Sequence, residues 1–146
     1  MKLEGTYKFK ATQEKVWEVL TNPQHLEKAI PGCEKLEEIE PGKYDATLKI
    51  GIAAIKGTYK GMAEVADPQP PEKYRLIVEG GGSPGFVKGE ALIELSHQNQ
   101  STMVSYQGEG QVGGLIAGVG QRLISGIAKM MVAQFFKQID KELKTH

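Results

Sequence analysis

The sequence is short of cysteine, histidine and tryptophan, and it carries no net charge. A lone cysteine, Cys33, excludes an internal disulfide and gives no sign of an oxidising compartment. Three histidines, His25, His97 and His146, are scattered along 146 residues. They exclude a Cys/His metal framework, so neither a metal site nor a cofactor is expected. Lys plus Arg number 18 and so do Asp plus Glu, so the basic excess of a nucleic-acid binder is missing. The opening residues Met1-Lys2-Leu3-Glu4-Gly5 lead into no apolar segment, so no signal peptide is expected. The longest apolar stretch, 112–120, falls well short of the ~20 residues that span a bilayer. The expectation is a cytoplasmic protein, peripheral at most on the inner membrane face, built as one domain over 1–146.

Glycine is the residue in excess, with 18 in the chain against a usual share of about 7%. The glycines follow no repeat, which excludes collagen and low-complexity linkers. They fall inside a clear alternation of elements. Leu3, Gly5, Tyr7 and Phe9 alternate with polar residues and predict a strand. Thr12 predicts the N-cap of a helix over 13–20, and Asn22-Pro23 restarts a short helix to Ala29. Six strands are predicted next: 34–40, 44–50, 56–66, 74–79, 86–95 and 102–112, with breaks at 67–71 and 80–85. The period then changes from two to 3.6, and 115–143 reads as one helix. Its expected stripe is Ile116, Val119, Leu123, Ile127, Met130, Met131, Phe135, Ile139 and Leu143. The pattern predicts an α+β fold: a seven-stranded curved antiparallel sheet around a long C-terminal helix, with two short helices between strands one and two.

Gly118, Gly120 and Gly126 fall inside the predicted helix, where each costs roughly 1 kcal/mol relative to Ala. Close approach of the helix to a surface or a ligand would offset that. Leucine at Gly120 or Gly126 would then fill a cavity or part the helix from the sheet. Glycines on the concave strand face (Gly57, Gly61, Gly89, Gly108 and Gly110) bend the sheet or leave volume beneath it.

The connecting segments divide by polarity. At one end of a meander lie 41–43, 67–73 and 96–101, all polar or charged. At the other lie 30–33, 51–55, 80–86 and 113–120, almost free of charge. Two readings are open: a mouth for a hydrophobic ligand or a membrane surface, or loops that pack on one another and close the core. The helix carries Arg122, Lys129 and Lys137 with no acidic residue between Glu109 and Asp140. Those cations either meet anionic lipid or form a solvated outer face.

Five segments resemble the CoxG-like family of carbon monoxide dehydrogenase proteins: Ala29-Ile30-Pro31-Gly32-Cys33-Glu34, Lys56-Gly57-Thr58-Tyr59-Lys60-Gly61, Gly85-Phe86-Val87-Lys88-Gly89-Glu90-Ala91, Gly120-Gln121-Arg122-Leu123 and Phe135-Phe136. The resemblance runs over nearly the whole chain. It implies the helix-grip superfamily, also known as START or SRPBCC, which includes steroidogenic-acute-regulatory-related lipid-transfer domains, plant pathogenesis-related allergens and aromatic polyketide cyclases. It implies a deep hydrophobic cavity between sheet and C-terminal helix. It also implies partnership with a molybdenum hydroxylase of the carbon monoxide dehydrogenase type, linking it to the membrane or its quinone pool. Longer relatives continue through a linker to an apolar anchor, whereas this sequence stops at His146.

The expected cavity lining is Leu48, Ile50, Tyr59, Leu76, Val78, Phe86, Ile93 and Tyr106 from the sheet, with Val119, Arg122, Leu123, Ile127 and Met130 from the helix. Tyr59, Tyr106 and Arg122 are the candidates for polar contacts. Tyr59 and Tyr106 serve a ligand carbonyl or stand as core aromatics bonded to backbone. His25 is expected at the surface, and Cys33 as an inert thiol. No Ser/His/Asp set, phosphate loop or other catalytic constellation is present. The expectation is therefore a non-catalytic carrier of a quinone- or lipid-like molecule. Two alternatives stand beside it: a recruitment or assembly factor for a molybdenum hydroxylase, and a cyclase-like enzyme that would need an ionisable group inside the cavity.

Overall fold

The structure, a computed structural model, describes residues 1–145; His146, one of the three histidines considered above, lies outside the described residues. Strand β1 (Lys2–Phe9) leads into helices α1 (Gln13–Thr21) and α2 (Pro23–Ala29). Six strands follow: β2 (Cys33–Glu40), β3 (Lys43–Ile50), β4 (Gly57–Gln69), β5 (Lys73–Gly82), β6 (Gly85–Gln98) and β7 (Ser101–Gly113). A 3₁₀ turn at Ala53–Ile55 joins β3 to β4, and a 3₁₀ segment at Gly114–Val119 precedes helix α3 (Gln121–Thr145). All strands pair antiparallel in one sheet, in the order β1-β7-β6-β5-β4-β3-β2. The chain's first strand closes onto its last, with Lys2 opposite Glu109 and Phe9 opposite Thr102.

The helix starts follow local chemistry. The Thr12 hydroxyl accepts from the Lys15 amide at 3.2 Å, which caps α1. Asn22 Oδ1 accepts from the Gln24 amide at 2.9 Å and Pro23 supplies the fixed φ of the first turn of α2.

Two sequence expectations are corrected. Gly80–Gly82 is strand rather than loop: Gly80 pairs with Gly61 on β4, and Gly81 and Gly82 pair with Phe86 and Gly85 on β6. Backbone pairing needs no side chain, so a glycine run between two partners stays in the ladder. The helix expected over 115–143 is in fact two pieces. Gly120 sits at φ +98°, in the region that favours glycine, and ends the 3₁₀ segment before α3 begins. A continuous helix would place Ile116 and Leu123 on one face, seven residues apart. With the break between them, Ile116 is buried while Leu123 is 49% exposed. The inward face of α3 therefore holds Ile124, Ala128 and Met131, then Phe136 and Ile139.

The packed core lies at the polar-loop end. Phe9, Val16, Val19, Leu20, Tyr74, Leu95, Val104, Phe136 and Ile139 are buried there together. Trp17 meets Tyr74 edge-on, with ring centroids 5.3 Å apart. At the opposite end a second, smaller cluster joins Ile50, Tyr59 and Ile116 with Leu48, Ile52, Ile55, Val112 and Met131.

Candidate functional site

Strand alternation turns every second residue toward α3. Around the middle of β3, β4 and β5 those residues are small: Ala46, Gly61, Ala63 and Gly80. A Cβ at Gly61 would lie 2.0 Å from the Glu79 carbonyl oxygen and 2.5 Å from Gly80 Cα, so the wall there must be bare backbone. Across the gap α3 presents Ile124, Ile127, Ala128 and Met131. Large side chains on one side and almost none on the other leave a cavity of about 290 Å³ between sheet and helix. Its lining is almost wholly hydrocarbon. Ile30, Ile55, Val112, Ile116 and the Met1 side chain complete it.

The uncharged loops converge at this end and do pack on one another. The Ile116 amide donates to the Pro84 carbonyl at 2.8 Å, and the Lys49 amide donates to the Gly32 carbonyl at 2.8 Å. The cavity lies directly beneath that closure. A larger depression of about 750 Å³ lies on the outer face of the sheet among Lys35, Glu37, Asp45, Lys60, Glu79 and Lys88. It is open and charged, and no wall excludes water from it.

The expected lining residues separate into four groups. Leu48, Ile50, Tyr59, Val78 and Ile127 meet at the cavity. Leu76 and Tyr106 pack against the main core, and Ile93 is buried within it. Phe86 is 53% exposed at the opposite parity from Val87, which lines the cavity in its place. Val119, Arg122, Leu123 and Met130 line a groove on the outward side of α3, because the break at Gly120 resets the helical phase. The lining residues missed from the sequence were Ala46, Ala63, Ile116, Ile124, Ala128 and Met131. Small inward residues on adjacent strands were the signal for the first two.

The two tyrosines are already engaged. Tyr59 is buried and its hydroxyl donates to the Ile55 carbonyl at 2.5 Å; burial raises its pKa. Tyr106 stacks on Phe136 at 5.4 Å, with its hydroxyl over Gly5, where a Cβ would come within 2.6 Å. The sheet-facing geometry is thus a dry, nearly uncharged hollow closed by a buried isoleucine.

A family model for CoxG, a protein of the carbon monoxide dehydrogenase system, matches residues 5–144. The chain belongs to the CoxG family. No functionally curated protein matches it. A conserved protein from Geobacillus kaustophilus is similar over 99% of this chain and 96% of its own, with 43% identity and a TM-score of 0.96. A START superfamily protein from Mycobacterium smegmatis, 11% identical, superposes over 99% of this chain and 97% of its own with a TM-score of 0.77. Ara h 8.0201, 14% identical, superposes over 100% and 99% with a TM-score of 0.74. These two distant neighbours establish the START-like helix-grip fold.

In this CoxG chain the buried titratable pair lies away from the cavity. His25, expected at the surface, is buried, with its Nδ1 2.9 Å from Glu142 Oε1. Helix α2 lays His25 against the last turns of α3, and nothing in the local spacing of either residue signals a partner so far along the chain. Gln138 Nε2 donates to the other Glu142 oxygen at 3.3 Å, and Lys28 Nζ stands 3.9 Å off. The His25 hydrogen bond holds the Glu142 carboxyl below its usual pKa, against the opposing effect of burial. Cys33 is half-buried; burial raises its thiol pKa, which makes the thiolate scarce. No helix among the described residues is long and apolar enough to cross a membrane.

Proposed function

We propose that this CoxG-family protein carries an apolar small molecule, quinone- or lipid-like, in the cavity under α3. It serves an enzyme of the molybdenum-containing carbon monoxide dehydrogenase type, at the membrane face where such molecules reside. The observation that carries this reading is the cavity itself: about 290 Å³, walled by hydrocarbon, with its one lining hydroxyl, Tyr59, already donating to Ile55. That volume stands at the lower end of small-molecule sites, roughly 300 Å³ upward. It suits a ring-sized head or a short apolar segment. Affinity then comes from buried area, about 0.8 kcal/mol per CH₂. The lining supplies no carboxylate or imidazole for acid–base chemistry, which favours a carrier over a cyclase-like enzyme.

The test starts with mass spectrometry of the organic extract of protein purified from its native lysate. One quinone or lipid enriched to near-stoichiometric amount is the expected result. Ala128→Phe, which places a ring into the cavity from α3, should abolish that enrichment and leave the melting temperature within a few degrees. An extract with no enriched molecule, or one unchanged by Ala128→Phe, would overturn the carrier reading. Capture of a molybdenum hydroxylase by the Ala128→Phe protein would then favour a recruitment factor.

A further inference from the structure

We infer that the outward face of the first half of α3, together with the 3₁₀ segments beside it, is a docking face for a bilayer containing anionic lipid. Leu115, Leu123 and Met130 are exposed at 79%, 49% and 41%. They are not scattered. Leu123, Gly126, Ile127 and Met130 recur at helical spacing on one side of α3. With Val119 and Gly120 they line one open groove. A Cβ at Gly118, Gly120 or Gly126 would meet nothing within 4 Å, so no other part of the chain covers this side.

The charges around it have one sign. Segments 51–56 and 110–139 contain Lys56, Arg122, Lys129 and Lys137 and no carboxylate. Among the described residues none of the four forms an ion pair, whereas Lys28, Lys43, Arg75 and Lys144 all do. Apolar side chains flanked only by cations match the physics of a helix lying in a membrane interface, with the apolar face in the acyl boundary and the cations at anionic headgroups. A protein partner would more commonly bring a rim of both signs and hydrogen-bonding groups.

Continuity with the cavity supports the same occupant. Ile127 lines the groove outside and the cavity inside. A bilayer seated on this face puts its apolar phase one side chain away from the hollow. The inference takes that purpose from the carrier reading, but docking is measured without any cavity ligand.

The experiment is flotation of the full chain with vesicles of phosphatidylcholine, with and without phosphatidylglycerol. The protein should float with the anionic vesicles and much less with the neutral ones. Leu115→Ser/Leu123→Ser/Met130→Ser should stay unbound while melting as the parent does. Arg122→Gln/Lys129→Gln should lower partitioning by about thirtyfold, from the loss of two cations near the surface. No flotation with either vesicle, or equal flotation of the triple serine variant, would overturn the proposal. So would a dimer in solution that the triple variant dissolves, since that assigns the face to a second copy. Ala128→Phe keeps the two readings apart: it should float normally and carry nothing.

Discussion

Under the second half of α3, Phe136 lies stacked between Tyr7 and Tyr106, with ring centroids 5.4 Å from each. Under the first half, Ile124, Ile127 and Met131 look across at Ala46, Gly61, Ala63 and Gly80, and a space of about 290 Å³ stands between them. The same helix spans the same sheet, and only the facing residues change. Where strands present Phe, Tyr and Ile the interface is a core. Where they present Ala and Gly it is a container. The difference teaches that stability and capacity are divided along one helix, so each can be changed with little effect on the other.

The sharpest way to break this comparison is matched truncation. Phe136→Ala should cost about 4 kcal/mol, as large-to-small changes in close-packed cores do. Met131→Ala, at the cavity wall, should cost about 1 kcal/mol, because part of that side chain already lacks partner atoms. Denaturant midpoints of the two variants decide the matter, and equal losses would mean that the two regions are packed alike.

Next in size is the clasp that ties α2 to the packed end. His25→Ala leaves the buried Glu142 carboxylate without its closest partner and should cost about 2 kcal/mol near neutral pH. Acid should act through the same group. Glu142 has a lowered pKa in the folded protein, so its contribution is present above the ordinary value of 4.5 and is lost as pH falls through the lowered one. The melting temperature of the parent should therefore fall more steeply below that pH than that of Glu142→Gln. Parallel acid limbs would remove Glu142 from the clasp.

The smallest effect belongs to the container side. Gly126→Ala should stabilise the protein by about 0.8 kcal/mol, since the new methyl meets nothing within 4 Å and helix propensity alone changes. A loss of stability would place a neighbour where the structure leaves open space. This reverses the expectation drawn from sequence, where the glycines of the C-terminal segment implied close approach to the sheet.

That reversal shows where sequence reading stops. Strand alternation fixed which of Tyr59, Val78 and Ile93 turn inward, because period two survives local irregularity. Caps at Thr12 and Asn22 were equally legible, since their chemistry is local. The inward face of α3 was not legible, because a 3₁₀ segment broken at Gly120 shifts the phase by an amount that hydrophobic spacing does not encode. Hence Ile124, Ala128 and Met131 took positions expected of Leu123 and Met130. The His25–Glu142 contact was invisible for a different reason: two residues far apart in sequence, each unremarkable in its own helix, meet only through tertiary packing. The cavity itself was foreshadowed by Gly61 on the concave face, and its closure by the uncharged loops.

Two glycines at left-handed φ, Gly114 at +76° and Gly120 at +98°, bracket the segment that carries Ile116. That segment is seated by one buried side chain and one hydrogen bond to Pro84. The sheet ladders and the α3 helix keep all of their own hydrogen bonds when it lifts. Two clocks therefore run in this molecule. Contents can exchange at the pace of a short loop, nanoseconds to microseconds, while the fold persists on the far slower scale of global unfolding.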